Sequence, residues 1–118
     1  MALRRFLRLA PKVMLGLVLL AIVGVAVLLG PYAWRVEHIA ADARVGFRSD
    51  YYLYVPETLH RDANGNAILL VQPNNSGRTS DDIGLHRRDA WMTGFERKRI
   101  ADALGVALLR PAFARPAR

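Results

Sequence analysis

The three residue types of a nucleophile–base–acid triad lie close together near the middle of the chain. Ser76 is followed by Asp81 and Asp82, and then by His86. A serine activated by a histidine that a carboxylate orients can attack an acyl carbon. A triad is defined by geometry, however, and such a cluster is more often loop polarity and helix capping. We therefore predict no catalytic residue among these side chains.

The same segment carries side chains that could bind a metal ion. Asp81, Asp82, His86 and Asp89 offer oxygen and nitrogen ligands. Acidic residues at a helix start also interact favourably with the helix dipole, and His86 is then a solvated surface residue. The chain has no cysteine, which excludes disulfides and thiolate ligands. We predict no metal site and no cofactor.

A polar loop at 73–77 follows an apolar run at 67–72. A loop between a strand and a helix is a common ligand site in α/β proteins, and its backbone N–H groups can bind an anion. Gly77 is the only glycine of this loop, and no Gly-Lys-Ser/Thr follows it. Neither the dinucleotide fingerprint nor the P-loop is present.

Three short segments have the composition of strands. Residues 51–55 are aromatic and β-branched and precede Pro56, whereas 67–72 and 106–109 are continuously apolar, and Pro111 follows the last of them. Continuous apolar runs are typical of parallel strands that are buried on both faces. The Asn64-Gly65 dipeptide predicts a turn before the second strand.

A helical segment connects the second and third strands. Thr93 and Glu96 have the spacing of a capping box, and Gly105 is well placed to end the helix. We expect a bend or break near Gly94, because the aromatic residues before it do not share the apolar face that follows. The basic run 97–99 is interpreted as the solvated face of this helix.

The order strand, helix, strand predicts a parallel βαβ unit and therefore an α/β fold. A parallel sheet usually has several strands and helices on both faces. Residues 49–118 supply about three strands and one good helix. We therefore expect 49–118 to be the first part of a larger α/β domain.

The N-terminal 34 residues have the composition of a membrane anchor. Residues 13–34 contain no charged side chain, and 22 helical residues approximately span a bilayer core of about 30 Å. Basic residues precede the segment, and this predicts a cytoplasmic N-terminus and an extracytoplasmic C-terminal part. Residues 35–48 are expected to form a connector, with a possible short helix.

Two other interpretations of the apolar segment are open. It can be a signal peptide that is cleaved near Ala26, which would give a secreted protein. It can also be a core helix, although about 84 residues are few to surround it. The four basic residues before it account for most of the net charge of +7, so the charge gives little support to nucleic-acid binding.

The chain resembles the beginning of an α/β-hydrolase of the secreted esterase and polyhydroxyalkanoate-depolymerase type. The resemblance covers about 49–113 and rests on three segments, namely Tyr-Leu-Tyr-Val-Pro at 52–56, residues 67–77, and Arg-Ile-Ala-Asp at 99–102 leading to Leu-Leu-Arg-Pro at 108–111. It implies an early hairpin, then a buried strand whose following loop donates an oxyanion-hole N–H, then a helix and a further strand.

By this resemblance, Asn74, Asn75, Ser76 and Gly77 form the oxyanion loop. Asn74-Asn75 stands where the family usually has His-Gly. None of Ser49, Ser76 and Ser80 has the Gly-x-Ser-x-Gly context of a nucleophile elbow. The resemblance therefore implies an N-terminal fragment that is inactive as it stands, and an ester substrate only for a longer form.

The alternative is that the 118 residues are a complete single-pass membrane protein. Its extracytoplasmic domain would then bind a partner and would not be an enzyme. The two hypotheses differ in whether the polar part folds alone.

Overall fold

The computed structural model of the chain describes residues 2–73, 77 and 79–114, with side chains described from residue 10 onward. The chain divides into two compact units, Met1–Ala33 and Trp34–Arg118.

The first unit is one helix, α1, at Ala2–Ala33. Its segment Ala10–Ala33 has a mean hydropathy of 2.9 over its most apolar window, and no part of that window is buried. A core helix would be mostly covered by protein, so this finding gives no support to the interpretation of the segment as a core helix. The helix is long and apolar enough to be a membrane span or a signal sequence.

The second unit is a four-stranded mixed sheet with one long helix. Its elements along the chain are β1 at Val36–Ile39, a single 3-10 turn at Ala43–Val45, β2 at Asp50–Tyr54, β3 at Leu69–Val71, α2 at Ile83–Leu104, and β4 at Ala107–Ala112. The strands lie in the order β1-β2-β4-β3. The pairs β1–β2 and β2–β4 are antiparallel, and β3–β4 is parallel.

The predicted parallel βαβ unit is confirmed. Leu69, Leu70 and Val71 of β3 pair with Ala107, Leu108 and Leu109 of β4, and α2 is the crossover between them. The apolar runs at 67–72 and 106–109 thus form neighbouring strands. The α/β class follows from this unit, while the hydrolase-like domain remains a prediction.

Helix α2 packs on one face of β4 and β2. Tyr54 and Leu108 are paired across the two strands and are buried. The helix ends at Gly105, as predicted, where φ is +63° and the backbone N–H donates to the Ala101 carbonyl. A left-handed residue at this position is the common way to end a helix, and glycine adopts it without a steric penalty.

The predicted start and bend of this helix are wrong. Helix α2 is continuous from Ile83, and Asp82 is its N-cap through a bond from the Gly84 N–H. The Thr93 hydroxyl donates to the Asp89 carbonyl, one turn earlier in the same helix. Gly94 is buried within the helix and does not interrupt it.

Two further differences concern strands. The segment predicted as a connector contains β1, whose residues Val36 and Ile39 pair with β2. Pro111 lies inside β4 and does not end it. The Ala107 N–H and the Leu109 carbonyl bond toward β3, so the nitrogen of Pro111 also faces that side, beyond the last residue of β3. The missing N–H therefore costs no ladder bond.

Strand β3 is an edge strand, although its composition is that of an interior strand. It carries no charged residue, and the side chains from Ile68 to Val71 are between 38% and 71% exposed. The expectation that this run is buried on both faces is therefore wrong for the 118 residues. Soluble edge strands usually carry charges or are covered.

Candidate functional site

The candidate site is the loop that connects the end of β3 to Asp82, the N-cap of α2. It lies at the carboxyl end of β3, where α/β proteins commonly bind ligands. Of the four residues assigned to the oxyanion loop, Asn74, Asn75 and Ser76 lie outside the described residues. Gly77 is described, and its φ of +74° is in the left-handed region that favours glycine.

The second half of this loop is tied to the start of α2 by short-range hydrogen bonds. The Asp82 N–H donates to the Ser80 hydroxyl at 3.1 Å, and the Asp82 carboxylate accepts from the Gly84 N–H at 2.8 Å. Asp82 therefore caps the helix, which agrees with the interpretation of these polar residues as helix-capping residues.

His86 is fully buried, so the expectation that it lies on the surface is wrong. Its Nε2 lies 2.9 Å from the Ser80 carbonyl oxygen. A carbonyl can only accept, so Nε2 carries the proton in this contact. This nitrogen holds the loop against α2 and is occupied, which leaves it unsuited to act as a general base.

The acidic residues near His86 are the metal-ligand candidates that the sequence offers. Within the described part of the chain, no three His, Asp or Glu side chains lie together in a way that could hold an ion. Asp81 and Asp82 are exposed, whereas His86, a residue of α2, is buried.

The most extensive polar cluster was not anticipated from the sequence. Asp50 is 2% exposed, and its carboxylate accepts from the Ala41 N–H at 2.9 Å, from His38 Nε2 at 2.8 Å and from Arg87 Nε at 2.5 Å. His38 also stacks on Tyr52, with ring centroids 5.0 Å apart. The cluster joins β1, β2 and α2. An aspartate next to the three tyrosines at 51–54 was the only signal in the sequence.

A second polar cluster lies at the other end of α2. The Tyr54 hydroxyl donates to Asp102 at 2.6 Å, and Lys98 Nζ donates to the same carboxylate at 2.8 Å. Between the two clusters, the Arg110 guanidinium donates to the Thr93 hydroxyl. These bonds attach α2 to the sheet along its length.

The pKa values of Asp50 and Asp102 lie below the ordinary aspartate value. Burial raises each pKa, but donated hydrogen bonds outweigh it, from Ala41, His38 and Arg87 to Asp50 and from Lys98 and Tyr54 to Asp102. The unfolded chain therefore binds these protons more readily than the folded chain.

We expect stability to be lost in acid for this reason. The contribution of both carboxylates is fully present above their ordinary pKa of 3.8 and disappears as the pH falls through the lower folded values. Urea denaturation from pH 6 to pH 2 measures the loss. Asp102→Asn should flatten the dependence below pH 4, and an unchanged slope would contradict the assignment.

Comparisons with known proteins do not identify the chain. No family model, curated protein or solved structure matches it.

Proposed function

We propose that this chain is the N-terminal part of a membrane-anchored or exported α/β-hydrolase that acts on ester bonds. In a longer form, a downstream serine would attack the acyl carbon. The loop at 74–77 would donate an N–H to the oxyanion that forms. The 118 residues alone would not hydrolyse esters, because they lack the nucleophile elbow.

The observation that carries the proposal is the position of the β3–α2 loop. In α/β-hydrolases one oxyanion-hole donor comes from the loop between the third strand and the first helix of the sheet. Here β3 is the third strand, α2 is the next helix, and an antiparallel pair, β1 and β2, precedes them. The order agrees with the order that the resemblance implies.

The exposed edge of β3 supports the part of the proposal in which the sheet continues in a longer form of the protein. The Ala107 N–H donates to the Ile68 carbonyl, and the Gln72 N–H donates to the Leu109 carbonyl. The residues at 68, 70 and 72 therefore face β4, and the N–H and C=O of Leu69 and Val71 face outward. Among the described residues, none bonds to these groups. An uncharged edge with open backbone groups fits a strand that continues pairing in a longer form.

The helix α1 would anchor the protein with its N-terminus in the cytoplasm. An alkaline phosphatase fused after residue 118 should be active, and the fusion should stay in the membrane after carbonate extraction. Release of the fusion into the medium, with a new N-terminus near Ala26, would instead indicate a cleaved signal peptide.

Producing residues 35–118 alone distinguishes the hydrolase proposal from the alternative of a complete partner-binding protein. The alternative is favoured by one observation, since Trp34–Arg118 forms a compact unit of its own. Produced without α1, this part should self-associate through the open edge of β3.

The double variant Leu69→Lys/Val71→Lys should reduce this self-association, because charges on an edge strand oppose edge-to-edge pairing. Light scattering after size-exclusion chromatography measures the mass. Val45→Lys is the control, because Val45 is also an exposed apolar residue but lies outside the sheet. A monomeric parent protein with a cooperative thermal transition would favour the alternative.

A further inference from the structure

The Asp50 cluster has hydrogen-bonding groups that the fold does not use. Arg87 contacts Asp50 through Nε, and its side chain is 45% exposed. His38 contacts the same carboxylate through Nε2, and its side chain is 49% exposed. Within the described residues, the two Nη groups of Arg87 and Nδ1 of His38 have no partner.

The two side chains are held next to each other. His38 Nε2 and Arg87 Nε both lie within 2.8 Å of one atom, Asp50 Oδ2. Asp50 is buried and is further fixed by the Ala41 N–H. The buried carboxylate therefore orients both the imidazole and the guanidinium, and about half of each side chain is exposed to solvent.

Tyr52 completes this surface. Its ring stacks against His38, and burial, followed by the charge of Asp50, raises the pKa of its hydroxyl. A tyrosine hydroxyl is protonated at neutral pH even at its ordinary pKa, so this one can donate a hydrogen bond. The cluster lies where Asp50 pairs with Ala112, at the carboxyl end of β4.

We propose that Arg87, oriented by Asp50 and flanked by the imidazole of His38, binds a small oxyanion, the carboxylate or phosphate group of a ligand. The four N–H donors on the Nη groups match the planar geometry of such an anion, and the charge of Arg87 strengthens each bond. The site is independent of the proposed hydrolase function, since it uses no residue of the β3–α2 loop.

The test uses the 118-residue chain in maltoside micelles, which contain no phosphate or carboxylate. The chain has three histidines, so ring-labelled histidine gives three NMR reporters. Inorganic phosphate and acetate are titrated separately, at an ionic strength kept constant with chloride. The His38 signals should shift saturably with at least one of the two anions, and the relative affinities identify the preferred group. His60 and buried His86 should not respond.

Arg87→Met should weaken binding about tenfold, the change expected when roughly 1.4 kcal/mol of binding free energy is lost. Arg87→Lys, which keeps the charge without the planar fork, should also weaken it. Arg88→Met is the matched control, because it removes the same charge from the next residue of α2. His86 signals that stay distinct from those of the urea-denatured chain establish that each variant is folded.

A linear response of His38, an equal response of His60, or equal weakening by Arg88→Met would overturn the proposal. Each of these results would mean that the anions act only through general charge screening.

Discussion

Replacing Gly105 with alanine should lower the free energy of unfolding by about 3 kcal/mol. A Cβ at this position would lie 2.6 Å from the His60 ring and 2.7 Å from the Thr58 carbonyl oxygen. The φ of +63° adds roughly 1 kcal/mol of backbone strain, and overpacking against His60 adds about 2 kcal/mol. The neighbour cannot simply move away, because the His60 N–H donates to the Gly105 carbonyl at 2.8 Å.

Urea denaturation of the 118-residue chain in maltoside micelles, followed by near-ultraviolet circular dichroism, measures the effect. Gly65→Ala is the control, because Gly65 also has a positive φ, +82°, but nothing lies within 4 Å of the added Cβ. It should cost only the backbone strain, roughly 1 kcal/mol. Equal losses in the two variants would show that the contact between His60 and Gly105 is not formed.

Replacing Asp50 with alanine should also cost about 3 kcal/mol. The change removes the acceptor for the Ala41 N–H, His38 and Arg87, and bonds to a buried charged group are among the stronger ones. The loss stays below that of a fully buried ion pair, because His38 and Arg87 can turn toward water.

Two variants calibrate this result in the same urea denaturation experiment. Asp50→Asn keeps the shape and the bond from Ala41, but its NH2 group faces His38 and Arg87 in place of an acceptor oxygen, so it should cost nearly as much as Asp50→Ala. Glu57→Ala removes an exposed partner of Arg35 at 3.3 Å and should change stability by less than about 0.5 kcal/mol. If Asp50→Ala lowers the free energy of unfolding no more than Glu57→Ala does, the stabilising role of the Asp50 cluster is contradicted.

The βαβ unit could be predicted because its signals are local. The apolar runs that became β3 and β4 and the glycine that ends α2 each act over a few residues. The start of α2 could not be assigned in the same way. Thr93 has capping-box spacing, but its hydroxyl bonds within the helix and accepts from Arg110, a residue of β4. This partner is distant in sequence, and the tertiary contact decides the outcome.

Strand β1 could not be predicted for a related reason. Two of its four residues, Glu37 and His38, are polar, so neither alternation nor composition marks it as a strand. It forms because β2 offers a pairing edge and because Asp50 bonds to His38. Both interactions join residues that are 12 or more positions apart, which a local pattern does not contain.

The candidate site was also predictable only in part from the sequence. The position of the loop after β3 follows from the order of elements. The role of His86 does not, because its burial depends on how α2 lies on the sheet. The Asp50 cluster combines residues from three elements, so no short motif could have indicated it.

The central claim is that these residues belong to a larger serine hydrolase. The most direct measurement is fluorophosphonate labelling of the native protein, captured from source cells with an antibody against residues 34–118. The account predicts a labelled species heavier than 13.2 kDa, in which the label maps to a serine beyond residue 118. Capture of only the 13.2 kDa chain, with no label, would contradict it.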